Sequence, residues 1–262
     1  MIILAINPGS TSTKVALFNG LELTAQRTIR HSRIELNKYT TLRDQIPFRT
    51  KLIRDFIKEN QLQLKDIKGF IGRGGLMKPI KSGIYKVNQT MIDDLESGVY
   101  GVHASNLGGL LAYNLAKEVS QDAYIADPVV VDEMSSVAKI SGLNGIERRP
   151  IWHALNQKAV AKKYAQKVGM DYEEINLIVA HLGGGISVGL HKRGRVTDVN
   201  NALNGDGPMS PERTGGLPVA SVYEMTLSGQ YTLEQIKEMN YGFGGLVSYL
   251  GTNSAEEVSD RI

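Results

Sequence analysis

The chain has 262 residues, of which 42% are hydrophobic and 22% charged, and its formal net charge is +3. These values are ordinary for a globular protein that is long enough to bury a core and to form two domains. It has no cysteine, which excludes disulfides and thiolate metal sites and favours a reducing compartment. We see no basic cluster with interleaved aromatic residues and only a short apolar start, Met1–Ile6, so we expect a cytoplasmic protein without nucleic-acid or membrane partners.

The first predicted element is a β-hairpin with a polar turn. Apolar residues predict strands over Ile2–Ile6 and Val15–Phe18, and a third strand follows over Leu21–Ile29. The second strand ends at Asn19-Gly20, the dipeptide that most strongly indicates a hairpin. Between the first two strands, small residues could present backbone N–H groups to an anion. This turn also carries polar side chains, those of Asn7, Ser10, Ser12 and Lys14.

An arginine among glycines follows the next predicted helix and strand. Apolar residues at helical spacing predict a helix over Arg49–Glu59, and a short apolar run predicts a strand over Ile67–Ile71. Arg73 lies in the Gly-Arg-Gly-Gly sequence after that strand, and a further strand is predicted over Ser82–Val87. Because a guanidinium offers a planar fork to carboxylate or phosphate, we favour an anion site over an ordinary exposed arginine. Glycines on both sides would be costly there without such a reason.

A histidine precedes the second of two further predicted helices. A short helix is predicted over Thr90–Gly98 with its first residue as N-cap, and a longer one over Leu107–Val119, capped by Ser105 or Asn106. His103 lies just before the longer helix, beside the positive end of its dipole. That position suits a neutral histidine that donates to an anion, although a loop histidine is more often structural.

An aspartate ends the next predicted strand, Asp122–Ala126. Asp127 stands where α/β proteins place metal-binding or catalytic carboxylates, and a turn-forming Asp-Pro is an equally good interpretation. The Gly- and Arg-rich segment Ile140–Pro150 is the predicted boundary between two domains. We expect a first domain over residues 1–149 and a second over residues 150–262.

The second half repeats the polar hairpin. A helix is predicted over residues 152–168 with His153 near its start, followed by strands over 177–180, 186–190 and 195–199. His181 ends the first of these strands, and three glycines form the turn after it, Gly183, Gly184 and Gly185. Asn7 precedes Gly20 by 13 positions and His181 precedes Gly194 by the same 13. Two unrelated hairpins are the alternative, but the shared plan favours a duplication with two phosphate-binding turns facing each other across a cleft.

A long polar segment, Asn200–Pro218, follows and is predicted to be a functional loop. Arg213 in this loop repeats the arginine-beside-glycine pattern of Arg73, and two such residues could clamp a transferring phosphoryl group. Helices are predicted over residues 219–227 and 233–239. Ser254 and Glu257 match a capping box, so a last helix is expected to begin there, only about two turns before the end of the sequence.

Four motifs resemble those of acetokinases and occur in the same order, Asn7–Lys14, His103–Asn106, His181–Gly185 and Pro211–Gly215. In detail the chain is similar to butyrate kinases, also called branched-chain fatty acid kinases. Acetate kinases have Asn-Pro where this chain has Ala104-Ser105, and a longer histidine motif around His153. The resemblance covers essentially the whole chain.

The resemblance implies an α/β protein with the actin/Hsp70/hexokinase fold, in which two duplicated ribonuclease H-like domains hold ATP in a cleft. It implies reversible, in-line transfer of the ATP γ-phosphoryl group to butyrate or a branched-chain fatty acid, with Mg²⁺ as cofactor, by a homo-oligomer of two or more copies. Family members continue well beyond Ile262, so the resemblance also implies a C-terminally truncated chain with an incomplete second domain and weakened nucleotide binding or activity.

Site residues are carried over by motif. The resemblance places Asn7 and Asp127 near Mg²⁺ and the phosphates. It implies that Arg73 and Arg213 bind the carboxylate and stabilise the transferring group. Three histidines would line the phosphoryl path, His103, His153 and His181. The first turn would contact the phosphoryl group through Ser10, Ser12 and Lys14, and the ATP phosphates would lie on Gly183, Gly184 and Gly185.

Two other functions stay open at this point. An acetate or propionate kinase would differ in its preferred acyl chain length. A non-catalytic actin-like module would bind ATP without carboxylate-dependent turnover, and replacing Arg73 or Arg213 would then change little. The presence of both arginines together with three histidines argues for the kinase.

Overall fold

The computed structural model describes residues 1–261 and divides into two compact units, Met1–Val130 and Val131–Ile262. This division lies before the predicted domain boundary at 149/150. The residues between the two boundaries, 131–149, belong to the second unit, where Val131 and Met134 share a buried cluster with Trp152. The indole Nε1 of Trp152 also donates to the backbone oxygen of Val131 at 2.8 Å.

The first unit is built on a six-stranded mixed sheet. Its strands in chain order are β1 (Ile2–Pro8), β2 (Ser12–Asn19), β3 (Glu22–Arg30), β4 (Ile67–Arg73), β5 (Ile84–Lys86) and β6 (Ala123–Ala126). They lie in the order β3-β2-β1-β4-β6-β5. The first three form an antiparallel meander, whereas β1, β4 and β6 run parallel to one another. The carboxyl ends of three neighbouring strands therefore meet at one edge of the sheet.

Four helices belong to this unit, α1 (Arg33–Leu36), α2 (Ile46–Glu59), α3 (Gln89–Ser97) and α4 (Asn106–Glu118). Helix α4 packs against β4 with direct backbone contact, because a Cβ at Gly72 would lie 2.0 Å from the Gly108 carbonyl oxygen. The predicted N-cap of α3 is wrong by two residues. Asn88 holds that position, and its side chain accepts from the backbone N–H of Met91 at 3.0 Å.

The second unit contains a three-stranded antiparallel sheet, β7 (Asn176–Leu182), β8 (Ile186–Lys192) and β9 (Arg195–Val199), in that order. Up to residue 261, five α-helices accompany it, α5 (Ala154–Lys167), α6 (Val219–Leu227), α7 (Leu233–Tyr241), α8 (Leu246–Leu250) and α9 (Ala255–Asp260). All of residues 200–218 are described, and they form neither helix nor strand. Half of the predicted capping box is present, since Ser254 Oγ accepts from Glu257 N while the Glu257 carboxylate bonds Thr252.

The predicted repetition is visible in the two units. Strands β1–β3 and β7–β9 both form antiparallel meanders, and each has its polar turn between the first two strands. In the first ladder Asn7 lies opposite Lys14, and in the second His181 lies opposite Ser187. Within residues 1–261, no helix combines the length and the apolar character that crossing a membrane would require.

Candidate active site

Three polar residues lie at neighbouring strand ends of the first unit. Asn7 is the penultimate residue of β1, Arg73 is the last residue of β4, and Asp127 directly follows β6. The parallel register pairs Ile6 with Gly72 and Arg73 with Ala126, which brings the three positions to one edge. The guanidinium Nη1 of Arg73 donates to Asn7 Oδ1 at 3.3 Å. A cation and two oxygen-bearing side chains are thus placed together.

The glycines around Arg73 are required by packing. A Cβ at Gly74 would lie 2.4 Å from Pro128 Cβ, and one at Gly75 would lie 2.5 Å from the Cα of Asn106. Half-burial of Arg73 in this crowded setting lowers the pKa of its guanidinium, although an arginine stays cationic at neutral pH. The glycines therefore fix where the charge sits, and they are accounted for without a ligand.

The Asp127 carboxylate is held in one orientation. Its Oδ1 accepts from Ser82 Oγ at 2.6 Å and from the backbone N–H of Gly83 at 2.9 Å. Its backbone has a φ of +37°, which is uncommon for a residue with a side chain, though more accessible to Asp than to most. Such conformations persist where the surroundings enforce them and concentrate at functional sites.

The first polar turn is supported from behind by a buried arginine that the sequence analysis did not single out. Arg49 of α2 is 0% exposed and donates to the backbone oxygens of Ser10 and Ser12 and to Thr13 Oγ1, at 3.4, 2.9 and 2.8 Å. Burial lowers its pKa to about 10, so it remains charged at neutral pH. A signal existed, because Arg49 precedes Ile53 and Phe56 on the apolar face of the helix.

The remaining polar residues of this turn are more exposed than Arg49. Ser10 and Lys14 are exposed and Ser12 is half-buried. The backbone N–H of Gly9 closes the turn by donating to the Ser12 oxygen at 2.8 Å. The turn thus has a rigid inner side and an outer side of hydroxyl groups and one lysine.

His103 is held in a defined tautomer. Its Nδ1 accepts from the backbone N–H of Ser105 at 3.2 Å and lies 2.9 Å from Ser105 Oγ. An Nδ1 that accepts carries no proton, so the ring hydrogen of the neutral form is on Nε2. Ser105 stands at the N-cap of α4, as one of the two predicted alternatives, but its hydroxyl faces His103 and makes no capping bond. Asn106 uses its Oδ1 to accept from Leu76 N at 2.9 Å.

Two histidines are stacked in the second unit. The rings of His153 and His181 have centroids 3.7 Å apart and an interplanar angle of 9°. His153 stands at the N-cap of α5, and its Nδ1 lies 2.8 Å from Ser187 Oγ on β8. His181 near the end of β7 pairs its Nδ1 with Asn156 Oδ1 at 2.9 Å. Helix α5 therefore positions both rings, one directly and one through Asn156.

The glycine turn of the second unit is packed against the long loop. The backbone oxygen of Gly184 accepts from Ser210 Oγ at 2.7 Å and from Glu212 N at 3.1 Å. A Cβ at Gly185 would lie 2.1 Å from Arg213 Nη1, so the missing side chain leaves room for the guanidinium. Arg213 also donates to the backbone oxygen of Ala202. The structure thus brings the predicted arginine to the predicted turn.

Comparison with solved structures defines the class of the fold. The chain matches an acetate kinase of Porphyromonas gingivalis with a TM-score of 0.75 and 18% identity, over 99% of this chain and 72% of the other. It matches a propionate kinase of Francisella tularensis with a TM-score of 0.76 and 20% identity, over 99% and 73%. An acetate kinase of Entamoeba histolytica gives 0.76 and 18%, over 100% and 71%. The protein has the acetate and propionate kinase fold, which confirms the predicted fold class.

A sequence relative then gives the family. No protein-family model matches the chain. Butyrate kinase 1 of Clostridium acetobutylicum is 51% identical over 259 residues, which is 99% of this chain and 73% of the relative. At that identity and coverage the chain belongs to the butyrate kinase family, as the order and form of its motifs predicted.

Proposed function

We propose that the protein transfers the γ-phosphoryl group of ATP to an oxygen of a short-chain carboxylate, giving ADP and an acyl phosphate, reversibly. Butyrate or a branched-chain acid is the proposed acceptor. Membership of the butyrate kinase family is the observation that carries this proposal. The arginine, amide and carboxylate at neighbouring strand ends of the first unit support it.

The reaction requires that the repulsion between two anions be reduced, and it does not require a general base. A carboxylate is already nucleophilic at neutral pH, so there is no hydroxyl proton to remove. It must approach a phosphoryl group that is also negative, and repulsion and alignment therefore set the barrier. We assign Arg73 to the carboxylate and the transferring group, because a guanidinium can contact two oxygens at once. Its bond to Asn7 holds the fork in place before substrate arrives.

In the second unit, we assign the phosphate groups of ATP to the turn Gly183–Gly185. Arg213, which lies against that turn, would stabilise charge on the transferring group. His153 of this unit and His103 of the first unit would donate to phosphoryl oxygens. His181 would line the same path, and because its Nδ1 donates to the amide oxygen of Asn156, it would donate through Nε2 only as the protonated imidazolium. The hydroxyl and lysine side chains of the first turn would contact phosphate oxygens, through Ser10, Ser12 and Lys14.

Mg²⁺ is the cofactor proposed with ATP, and the residues present fit it. Magnesium takes oxygen ligands, commonly one or two carboxylates together with substrate phosphates. Asp127 offers a carboxylate whose Oδ1 is oriented by Ser82 and Gly83, and Asn7 offers an amide oxygen at the same edge of the sheet, on the other side of β4. When bound, the ion would offset charge on the phosphate oxygens.

Trapping of acyl phosphate by hydroxylamine tests the function. The chain, and a longer version that supplies the part of the relative it does not match, are supplied with ATP, Mg²⁺ and each of butyrate, isobutyrate, valerate, propionate and acetate. We expect hydroxamate from the four- and five-carbon acids. A preference for acetate or propionate would favour that alternative. ATP binding without hydroxamate from any acid would favour the non-catalytic module and contradict the proposal.

Replacement of Arg73 tests its assigned role in the same assay. We expect Arg73→Ala to lower the rate by about 100- to 1,000-fold, the range typical of losing a charge-stabilising group. The matched control is Arg43→Ala, because Arg43 is 62% exposed and pairs with Glu96 on the surface. Equal rates in the two variants would remove Arg73 from the proposed machinery.

A further inference from the structure

A continuous chain of buried polar side chains runs from the second sheet to His153. Tyr172 O–H lies 2.7 Å from His191 Nδ1, and His191 Nε2 lies 3.0 Å from Gln157 Oε1. Gln157 Nε2 lies 2.7 Å from Ser187 Oγ, which lies 2.8 Å from His153 Nδ1. Gln157, Ser187 and His191 are each 0% exposed, and Tyr172 is 5% exposed. We refer to these four residues as the relay.

The direction of every hydrogen bond in the relay is determined. Gln157 Nε2 also faces the backbone oxygen of Ser187 at 2.9 Å, and a carbonyl can only accept, so this end of the amide is the donor. Gln157 Oε1 must then accept from His191 Nε2–H. With its hydrogen on Nε2, neutral His191 uses Nδ1 to accept from Tyr172 O–H.

The serine transmits the same direction to His153. Ser187 Oγ accepts from Gln157 Nε2 and from the backbone N–H of His153 at 3.4 Å, which fills both of its acceptor positions. Its one hydrogen is left for His153 Nδ1. The ring of His153 therefore accepts at Nδ1 and carries its proton on Nε2.

The relay stays neutral at ordinary pH. Burial, and to a smaller extent the nearby Lys158 ammonium, lower the pKa of His191 to about 4, while Glu133 opposes the shift. A protonated His191 would have to donate at Nδ1, where Tyr172 now donates, and the order of the relay would be lost. Such buried polar chains are costly unless every member is satisfied, and here each named atom has its partner.

We propose that Tyr172, His191, Gln157 and Ser187 are positioning residues that hold His153 in its neutral Nε2–H form. This goes beyond the proposed function and rests on it for its catalytic consequence, namely that His153 donates through Nε2 to a phosphoryl oxygen. The opposite tautomer would present a lone pair to an anion, which is repulsive. Ser187 contacts His153, and the other three act through it.

Nitrogen NMR tests the tautomer without any activity measurement. The chain has five histidines, so ¹⁵N labelling of histidine gives a small set of ring signals, and His153→Gln identifies the one to follow. We expect His153 to be the Nε2–H tautomer in the unmodified chain. Ser187→Ala should move it to a mixture or to Nδ1–H, because the only side-chain donor to Nδ1 in the relay is removed. Ser248→Ala, an exposed serine on α8, is the matched control and should leave the signal unchanged.

An Nδ1–H signal for His153 in the unmodified chain, or an unchanged signal in Ser187→Ala, would overturn the proposal. Neither result depends on turnover, so a failure of the proposed function is distinguishable from a failure of the relay.

Kinetics provide the second readout in a version that turns over. Ser187→Ala should lower kcat by about 10- to 100-fold, by analogy with the loss seen when a partner that orients a metal-ligating histidine is removed, with little change in the KM for the carboxylate. Tyr172→Phe, at the far end of the relay, should have a smaller effect in the same direction. Tyr164→Phe, a half-exposed tyrosine on α5, is its control. A loss shared equally by kcat and by the folded fraction in both relay variants, with the tautomer retained, would indicate structural support only.

Discussion

The two polar turns are supported from behind by different chemistry. In the first unit a buried cation, Arg49, donates to the turn, and the oxygens that accept from it, on Gln45, Ser10, Ser12 and Thr13, are neutral. In the second unit the support behind His153 and β8 is the neutral relay. The buried cation there, Lys158, is paired with Glu133 at 2.8 Å, and their side chains are only 3% and 10% exposed.

In both turns a hydrogen bond to a backbone carbonyl orients the N–H of the next residue. Arg49 binds the carbonyl of Ser10, so the N–H of Thr11, on the opposite side of that planar peptide, is turned away from Arg49. In the second turn Ser210 Oγ and Glu212 N bind the carbonyl of Gly184, which turns the N–H of Gly185 away from them. The carbonyl that sets this orientation is thus bound by a guanidinium in the first turn and by neutral donors in the second.

The difference is electrostatic. A buried cation with neutral partners leaves a net positive charge beside its turn, whereas a buried ion pair cancels most of its own field. Arg49 therefore favours an anion at the first turn beyond what hydrogen bonds supply. In the second unit the positive charge at the turn comes instead from Arg213, which lies against Gly185, while the buried support behind His153 is neutral or charge-paired. This electrostatic difference is tested by replacing each buried cation separately.

Replacement of Lys158, the cation paired with Glu133, should have the largest effect on stability. Lys158→Met leaves the Glu133 carboxylate buried without its partner, and we expect the second unit to lose about 3–5 kcal/mol of unfolding free energy. The only tryptophan of the chain, Trp152, is 2% exposed in the core of this unit, so its fluorescence reports urea unfolding there.

A double variant controls for the loss of the lysine stem. Lys158→Met with Glu133→Gln removes both charges while keeping an oxygen for the backbone N–H of Val196, which Glu133 binds at 2.9 Å. It should recover a large part of the lost stability. If the single and double variants unfold at the same urea concentration, the charge on Glu133 is not the cause.

Acidification should cause the next largest loss of unfolding free energy. Each unit contains one buried histidine that causes this loss. Burial and the neighbouring Arg49 guanidinium lower the pKa of His31 to about 4, and His191 has a pKa of about 4 beside Lys158 and Glu133. Each folded value lies below the ordinary value of 6.5, so the unfolded chain binds the proton first. Each histidine then contributes stability that is complete above 6.5 and is lost between 6.5 and 4, about 3 kcal/mol per residue.

Single replacements separate the two histidines. His191→Gln should flatten the pH dependence of Trp152-monitored unfolding below pH 6.5, because the residue that gains a proton on unfolding is gone. His31→Gln should leave that curve unchanged and instead flatten the pH dependence of amide exchange in β2 and β3. The same slope in His191→Gln and in the unmodified chain would mean that other groups dominate acid unfolding of the second unit.

Much of the fold is readable from local sequence. Strand β9 and helix α6 have the predicted bounds, and the β2–β3 hairpin follows from its Asn19-Gly20 turn. Helix α2 begins three residues before its predicted start, at Ile46, with Pro47 in its first turn, a helix-start signal that was present in the sequence. Helix α8 was not predicted, because five residues between two glycines carry too little periodicity.

The arrangement of the site could not be predicted from local sequence alone. Asn7, Arg73 and Asp127 could each be placed at a strand end, but their adjacency depends on the parallel register of β1, β4 and β6, which is set by non-local packing. The relay is even harder to predict from sequence. Gln157 and His191 are 34 positions apart, and a buried Gln–His bond leaves no periodic signal.

Replacement of Arg49 should have the smallest effect on stability. Arg49→Met deprives the Ser10 and Ser12 oxygens and Thr13 Oγ1 of a donor, which is unfavourable. Two of these atoms keep another partner, since the Ser12 oxygen still accepts from Gly9 N and Thr13 Oγ1 still bonds His31. The variant also removes a desolvated charge, whose cost the lowered pKa of Arg49 records. We expect a net loss of about 2 kcal/mol in the first unit, measured by amide exchange in β1 and β2.

Its control lies on the same helix. Arg54 pairs with Glu118 where the side chains are 42% and 47% exposed, so Arg54→Met should cost less than about 1 kcal/mol. The comparison between the turns is decided by what Arg49→Met does to anion binding. If Arg49 supplies a field as well as hydrogen bonds, protection of the first turn by inorganic phosphate should be lost in Arg49→Met and retained in Arg54→Met. Equal protection in both would mean that the two turns differ in their supports but not in their electrostatics, because a charge that changes no anion affinity acts there as a hydrogen-bond donor alone.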